Sequence, residues 1–122
     1  MNDKILVVDD NQDLLLITRI ILKGMGYEAF LATSLEEAQR KIKIHQPTLI
    51  LLDICVNDGD GRELCCQLKS DPQTSNLRVI LMSGDEDYSK EMIADDFLPK
   101  PFDYNELIQK VDRQLTYATL YH

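Results

Sequence analysis

Hydrophobic positions in this chain come in short unbroken runs, each ending on a polar residue. Lys4-Ile5-Leu6-Val7-Val8 runs into Asp9-Asp10, and Leu49-Ile50-Leu51-Leu52 runs into Asp53. Arg78-Val79-Ile80-Leu81-Met82 runs into Ser83-Gly84. Apolar runs of this length, too short for a buried helix, read as strands covered on both faces of a parallel sheet. Two shorter strands are predicted, over Tyr27 to Ala32 and at Phe97-Leu98, the second leading to Pro99-Lys100-Pro101.

Between the runs the period changes to that of helices. Asn11 to Met25 has apolar residues at 14, 17, 21 and 25, with Asn11 placed as N-cap and Gly24 and Gly26 as stop signals. Ser34-Leu35-Glu36-Glu37 matches a capping box opening a helix that carries Leu35, Ala38 and Ile42 and ends before Pro47. Ile54 to Gly61 is rich in Asn, Asp and Gly and reads as a loop. A helix is predicted over Arg62 to Lys69, closed by Asp71-Pro72, then a polar loop to Asn76. A short acidic helix is predicted over Glu86 to Ile93. Asp103 caps a last helix with Glu106 at its third position and Leu107, Ile108, Val111 and Leu115 inward; Tyr117 to His122 extends it or forms a tail or linker.

Five strands alternating with five helices define an α/β class, a doubly wound parallel sheet with right-handed crossovers and helices on both faces. At 122 residues the chain is expected to be one domain, 1–122. A hydrophobic share of 44% beside 28% charged residues excludes global disorder. No apolar run approaches membrane-spanning length and no signal peptide is visible, so no membrane insertion is expected. Cys55, Cys65 and Cys66 are odd in number and lack CxxC spacing, which fits free thiols and a cytoplasmic location. A net charge of −8 argues against nucleic acid as a direct partner.

Parallel strands bring their C-terminal ends to one edge, where open α/β folds bind ligands. Asp9, Asp10, Asp53, Ser83 and Lys100 all fall at or just after such ends. Taken singly, Asp9-Asp10 reads equally as a helix cap, Asp53 as a loop aspartate, Ser83 as a turn residue and Lys100 as a solvated lysine. Together they place three carboxylates, a hydroxyl and an ammonium on four strand ends. Clustered carboxylates repel unless a cation sits among them, and all-oxygen ligation suits Mg²⁺. A carboxylate can attack phosphorus, and phosphoryl transfer needs charge neutralisation and positioning above all. Asp53, alone on the central strand, is the expected nucleophile, leaving Asp9-Asp10 to hold metal.

With these residues in place, the chain resembles the receiver domain of two-component response regulators along its whole length. The matching stretches are Val7-Val8-Asp9-Asp10-Asn11, Asp53, Asp60-Gly61, Ser83 and Asp96-Phe97-Leu98-Pro99-Lys100-Pro101-Phe102. The resemblance implies strand order 2-1-3-4-5 and phosphorylation of Asp53 by a histidine kinase or histidine phosphotransfer protein. It implies Mg²⁺ on Asp10, Asp53 and the Cys55 backbone carbonyl, with Asp9 acting through water. It further implies that Ser83 and Lys100 bind the phosphoryl oxygens, that Lys100–Pro101 is cis, and that Phe97 switches inward with Ser83. Control of a downstream protein target follows, and Cys55 and Asp85 fall at the positions that tune dephosphorylation.

Two departures from the family pattern stand out. Asn57 replaces a common proline, and the stretch from Ser83 to Lys100 is shorter than usual by roughly one to one and a half helical turns, without the glycine usual before Asp95-Asp96. Two other classes compete. A Mg²⁺-dependent phosphohydrolase commonly carries an acid two residues after its nucleophile, where this chain has Cys55. A phosphorylation-independent binding module is the other, and it commonly lacks one of the acids or the lysine, all of which are present. Only self-phosphorylation from donors and slow autodephosphorylation are expected, not turnover of other substrates.

Overall fold

The computed structural model describes residues 3–84 and 93–120. Five parallel strands form its centre: β1 (Lys4–Val8), β2 (Glu28–Ala32), β3 (Leu49–Asp53), β6 (Arg78–Ser83) and β7 (Asp96–Pro99). They lie in the order β2-β1-β3-β6-β7, which is the expected 2-1-3-4-5 when only these five are counted. Helices α1 (Gln12–Gly24), α2 (Leu35–His45), α3 (Gly61–Ser70) and α4 (Tyr104–Leu120) cover the sheet. The helix expected over 86–93 falls almost wholly on residues outside those described.

Successive strand side chains point to opposite faces, and the core divides accordingly. Ile5, Val7, Leu49, Leu51, Ile80, Met82 and Leu98 pack with Leu15 and Leu22 of α1 and Leu107, Val111 and Leu115 of α4. Leu6, Val8, Ile50, Leu52, Val79, Leu81 and Phe97 pack with Ala38 and Ile42 of α2 and Leu64, Cys65 and Leu68 of α3. Every residue of β3 is buried, as its unbroken apolar run predicts.

The helix starts follow the capping chemistry. Asn11 accepts from Leu14 N at 3.2 Å. Ser34 Oγ accepts from Glu37 N at 3.1 Å, the first half of the expected capping box, while Glu37 reaches back one residue beyond the N-cap and accepts from Thr33 N at 2.7 Å. Asp103 accepts from Glu106 N at 2.7 Å at the start of α4.

Three expectations need correction. The fully buried residues of α1 are Leu15, Thr18 and Leu22; of the expected 14, 17, 21 and 25, Ile21 and Met25 pack partly buried against the core, whereas Ile17 is 42% exposed. Six leucines and isoleucines within residues 14–21 give this helix apolar residues on most sides, so spacing alone fits more than one face. In α4, Ile108 is only half-buried, while Gln114 is buried because it serves as a hydrogen-bond partner for Arg78. The predicted loop after Asp53 contains a small antiparallel hairpin, β4 (Cys55–Val56) with β5 (Gly59–Asp60).

The register aligns the strand ends. Val8 pairs with Leu52, Asp53 with Met82, and Ser83 with Pro99. Asp9, Asp53, Ser83 and Lys100 therefore reach one edge of the sheet.

Candidate functional site

At that edge the chain leaves the sheet in four places, and each exit holds a polar side chain. Asp9 follows β1 and is 1% exposed; its Oδ1 accepts from Asn11 N at 2.9 Å, which turns the carboxylate back over the strand end. Asp10 is exposed. Asp53 ends β3, is buried, and accepts from Cys55 N at 3.1 Å. Asp9, Asp10 and Asp53 each offer an oxygen, and these atoms lie within 4.8 Å of one another. Ser83 ends β6, buried, and its carbonyl accepts from Lys100 N at 2.8 Å. The Lys100–Pro101 bond is cis, as expected.

Lys100 reaches back across the edge. Its Nζ donates to Asp9 Oδ2 at 2.5 Å and to Asp53 Oδ2 at 3.0 Å. One ammonium thus bridges two carboxylates from different strands. Burial alone would lower the Lys100 pKa, but the hydrogen bonds and charges of Asp9 and Asp53 outweigh it and hold the pKa above the usual lysine value. Burial raises the Asp53 pKa above the carboxylate range, the Asp9 charge adds to this, and the bonds from Lys100 and Cys55 N only partly offset it. Burial is the main cause of the raised Asp53 value, and the sharing adds to it: the lysine gains from two acids, whereas Asp53 shares its cation with Asp9.

Gly61 explains how the following loop fits. A Cβ there would stand 2.1 Å from the Asp53 carbonyl oxygen, so only glycine permits this approach. Gly61 N donates to Ile54 O at 2.8 Å, and Asp60 caps α3 by accepting from Arg62 N at 2.8 Å.

The residues fit a hard divalent cation by donor chemistry: three carboxylates, two of them buried, share a cleft with one ammonium. Cys55 is exposed beside them. Phe97 is buried against Val79 and Leu81 on the α2 and α3 face. Asp85 lies outside the described residues.

Two features escaped the sequence reading. Asp58, in the hairpin turn, accepts from Leu35 N at 2.8 Å and Glu36 N at 3.1 Å, tying the loop to the start of α2; these amide bonds lower its pKa. The Asp-Gly pairs at 58–61 are the signal that indicates such a hairpin. Asp95, just before β7, bonds Lys69 Nζ at 2.6 Å and Val79 N at 2.8 Å and pairs with Arg78 at 3.2 Å. These bonds pin the connector to β7.

A doubly wound sheet with an acidic, lysine-bridged cleft at its carboxyl edge defines the class: an open α/β domain of the kind that binds ligands at that edge. The model of the response regulator receiver domain matches residues 5–112, so the chain belongs to that family and is a receiver of two-component signal transduction. It is 36% identical over 115 residues to the alkaline phosphatase synthesis transcriptional regulatory protein PhoP of Bacillus subtilis, covering 91% of this chain and 48% of that protein. The chain thus spans about half the length of that relative. A CheY-like receiver domain protein of Methanospirillum hungatei superposes with a TM-score of 0.91 at 27% identity, covering 100% of both chains. The receiver domain of a signal transduction histidine kinase from Syntrophus aciditrophicus gives 0.86 at 32% identity, covering 93% of this chain and 90% of that one. Receivers of this family are phosphoacceptor switches rather than classical enzymes. Among the described residues, no helix is long and apolar enough to cross a membrane.

Proposed function

We propose that Asp53 accepts a phosphoryl group from a phosphohistidine on a kinase or phosphotransfer protein, and that the phosphorylated chain controls a protein target. The supporting observation is the Lys100 ammonium bridging Asp9 and Asp53 at the sheet edge, next to the exposed Asp10. A carboxylate oxygen of Asp53 bonds to phosphorus as the P–N bond breaks, and that bond's electron pair returns to the imidazole. Lys100 turns from bridging carboxylates to neutralising the phosphoryl oxygens. Ser83, at the neighbouring strand end, donates a hydrogen bond to them.

Asp10, Asp53 and the Cys55 carbonyl would hold Mg²⁺, with Asp9 acting through water. The metal would supply charge neutralisation at the transferring group. Attack of water on the acyl phosphate returns free Asp53, slowly, with inorganic phosphate released.

Phosphorylation adds about −1.5 to −2 charges and strong acceptor oxygens. Two new hydrogen bonds to a charged group give about 3–6 kcal/mol. Inverting a 1:99 equilibrium needs about 5.5 kcal/mol, so the two contacts from Ser83 and Lys100 are about enough to drive a switch, at the upper end of their range. Phe97 is the aromatic switch residue that turns inward as Ser83 moves to the phosphoryl group, and the buried position it has here is the inward one.

The test is intact mass after incubation with acetyl phosphate and Mg²⁺, beside Asp53→Asn and a metal-free control. One phosphoryl group is expected on the native chain with Mg²⁺ and on neither control. Failure with acetyl phosphate and with a panel of phosphorylated phosphotransfer domains would leave a phosphorylation-independent binding module.

A further inference from the structure

The hairpin that follows Asp53 is held at its base and at its tip by different means. At the base, Ile54 N donates to Met82 O at 3.0 Å, Gly61 N to Ile54 O at 2.8 Å, and Cys55 N to Asp53 at 3.1 Å. Cys55 pairs with Asp60 and Val56 with Gly59, leaving Asn57 and Asp58 as the turn. The tip leans on α2. Gly59 lies so near Leu35 that a Cβ would come within 2.9 Å of Leu35 Cδ1, and Asp58 accepts the backbone N–H groups of both Leu35 and Glu36.

Those N–H groups are two of the four that a helix leaves unpaired at its start. The helix already has a local cap, since Ser34 takes Glu37 N, and Ala38 N donates to Ser34 O. Asp58 therefore supplies what the local cap leaves open, from 23 residues away along the chain. The carboxylate sits where the helix dipole favours negative charge. The result is a bidentate tie between α2 and the strand pair that carries Cys55.

We infer that Asp58 is a positioning residue for the metal site, fixing the hairpin against α2 so that the Cys55 carbonyl is held ready for the cation. This rests on the metal reading above, in which that carbonyl is a ligand. Asp58 itself touches neither the cation nor the phosphoryl group. It acts by removing freedom from the turn before the cation arrives, so less ordering remains to oppose binding. Groups that orient metal ligands typically cost 10–100-fold in affinity when removed, and a backbone ligand held at one remove should lose roughly three- to tenfold.

The experiment uses the full chain as the native protein, Asp58→Ala and Asp58→Asn, with Mg²⁺ binding read by titration calorimetry. Hydrogen exchange of the Leu35 and Glu36 amides is read in the metal-free proteins. Both substitutions remove the same charge, but the asparagine oxygen still accepts one of the two N–H groups. Asp58→Ala is expected to speed exchange at Leu35 and Glu36 and to weaken Mg²⁺ binding roughly three- to tenfold, with Asp58→Asn falling between it and the native chain. At saturating Mg²⁺ the yield of acetyl phosphate adduct should return to the native level in both.

Unchanged Mg²⁺ affinity in Asp58→Ala, even with a lower melting temperature, overturns the inference and leaves a purely structural cap. Equal weakening in both variants also overturns it, because charge alone then explains the effect. A native chain that binds no Mg²⁺ overturns the metal reading itself, and this inference with it.

Discussion

Lys100→Met separates the two states of the cleft most sharply. In the structure the ammonium is the cation shared by Asp9 and Asp53, whose side chains are 1% and 9% exposed, while Lys100 is 24% exposed. Methionine keeps most of the apolar stem and removes the charge together with both hydrogen bonds. Removing one partner of a buried ion pair typically costs about 3–5 kcal/mol, because the remaining charge is left uncompensated. The partial opening of this site to water reduces that to about 2–3 kcal/mol. For a domain of this size that is a fall of about 8–12 °C in melting temperature.

Mg²⁺ should reverse much of the loss. In the variant no ammonium competes for the carboxylates, and a Kd about 30- to 150-fold tighter than that of the native chain recovers about 2–3 kcal/mol at saturating ion. The assay is urea unfolding followed by far-ultraviolet circular dichroism, since the chain has no tryptophan, in EDTA and in Mg²⁺. The variant should be clearly weaker in EDTA and close to the native protein in Mg²⁺. A loss below about 0.5 kcal/mol in EDTA, the range of ordinary surface substitutions, would refute the reasoning, as would equal losses in both buffers. The pH dependence has a definite sign. The Lys100 pKa is raised in the fold, so its contribution is complete below the unfolded value of 10.5 and disappears as pH climbs through the elevated one. Native and variant stabilities in EDTA should therefore converge at alkaline pH.

Asp53→Asn should abolish the phosphoryl adduct yet raise stability at neutral pH. The native pKa is raised by burial, so ionising Asp53 costs stability progressively as pH rises from 3.8 through its elevated value; thermal melts should show the variant's advantage shrinking as pH falls toward 3.8. Gly61→Ala forces a methyl group to 2.1 Å from the Asp53 carbonyl oxygen and should lose about 2–3 kcal/mol, read as a lower melting temperature and a smaller soluble yield. Ser83→Ala should accept phosphate almost normally but lose its tighter binding to the phosphorylation-dependent partner; unchanged partner affinity would remove Ser83 from the switch.

The strand pattern was legible because each buried strand is an unbroken apolar run whose terminal polar residue marks the sheet edge. Asp9, Asp53 and Lys100 were readable for the same reason: parallel strands bring their ends together whatever the local conformation. Helix faces were readable where polar residues border them, as in α2, and not in α1, where Leu14 to Ile21 is almost continuously apolar. The Asp58 tie was hidden because its two partners lie 22 and 23 residues away, a pairing that local spacing does not encode. The Lys69–Asp95–Arg78 cluster likewise joins α3, the connector to β7 and the start of β6. Strand order came from the family resemblance, since alternation of elements fixes the layers and leaves the order open.

The central claim is that Asp53, among three neighbouring aspartates, receives the phosphoryl group. Borohydride reduction converts an acyl phosphate to an alcohol, so a phosphorylated aspartate becomes homoserine and can be located by peptide mass spectrometry. After transfer from a phosphorylated phosphotransfer domain in Mg²⁺, homoserine is expected at position 53 alone. Homoserine at Asp9 or Asp10, or label that persists in Asp53→Asn, would contradict the account.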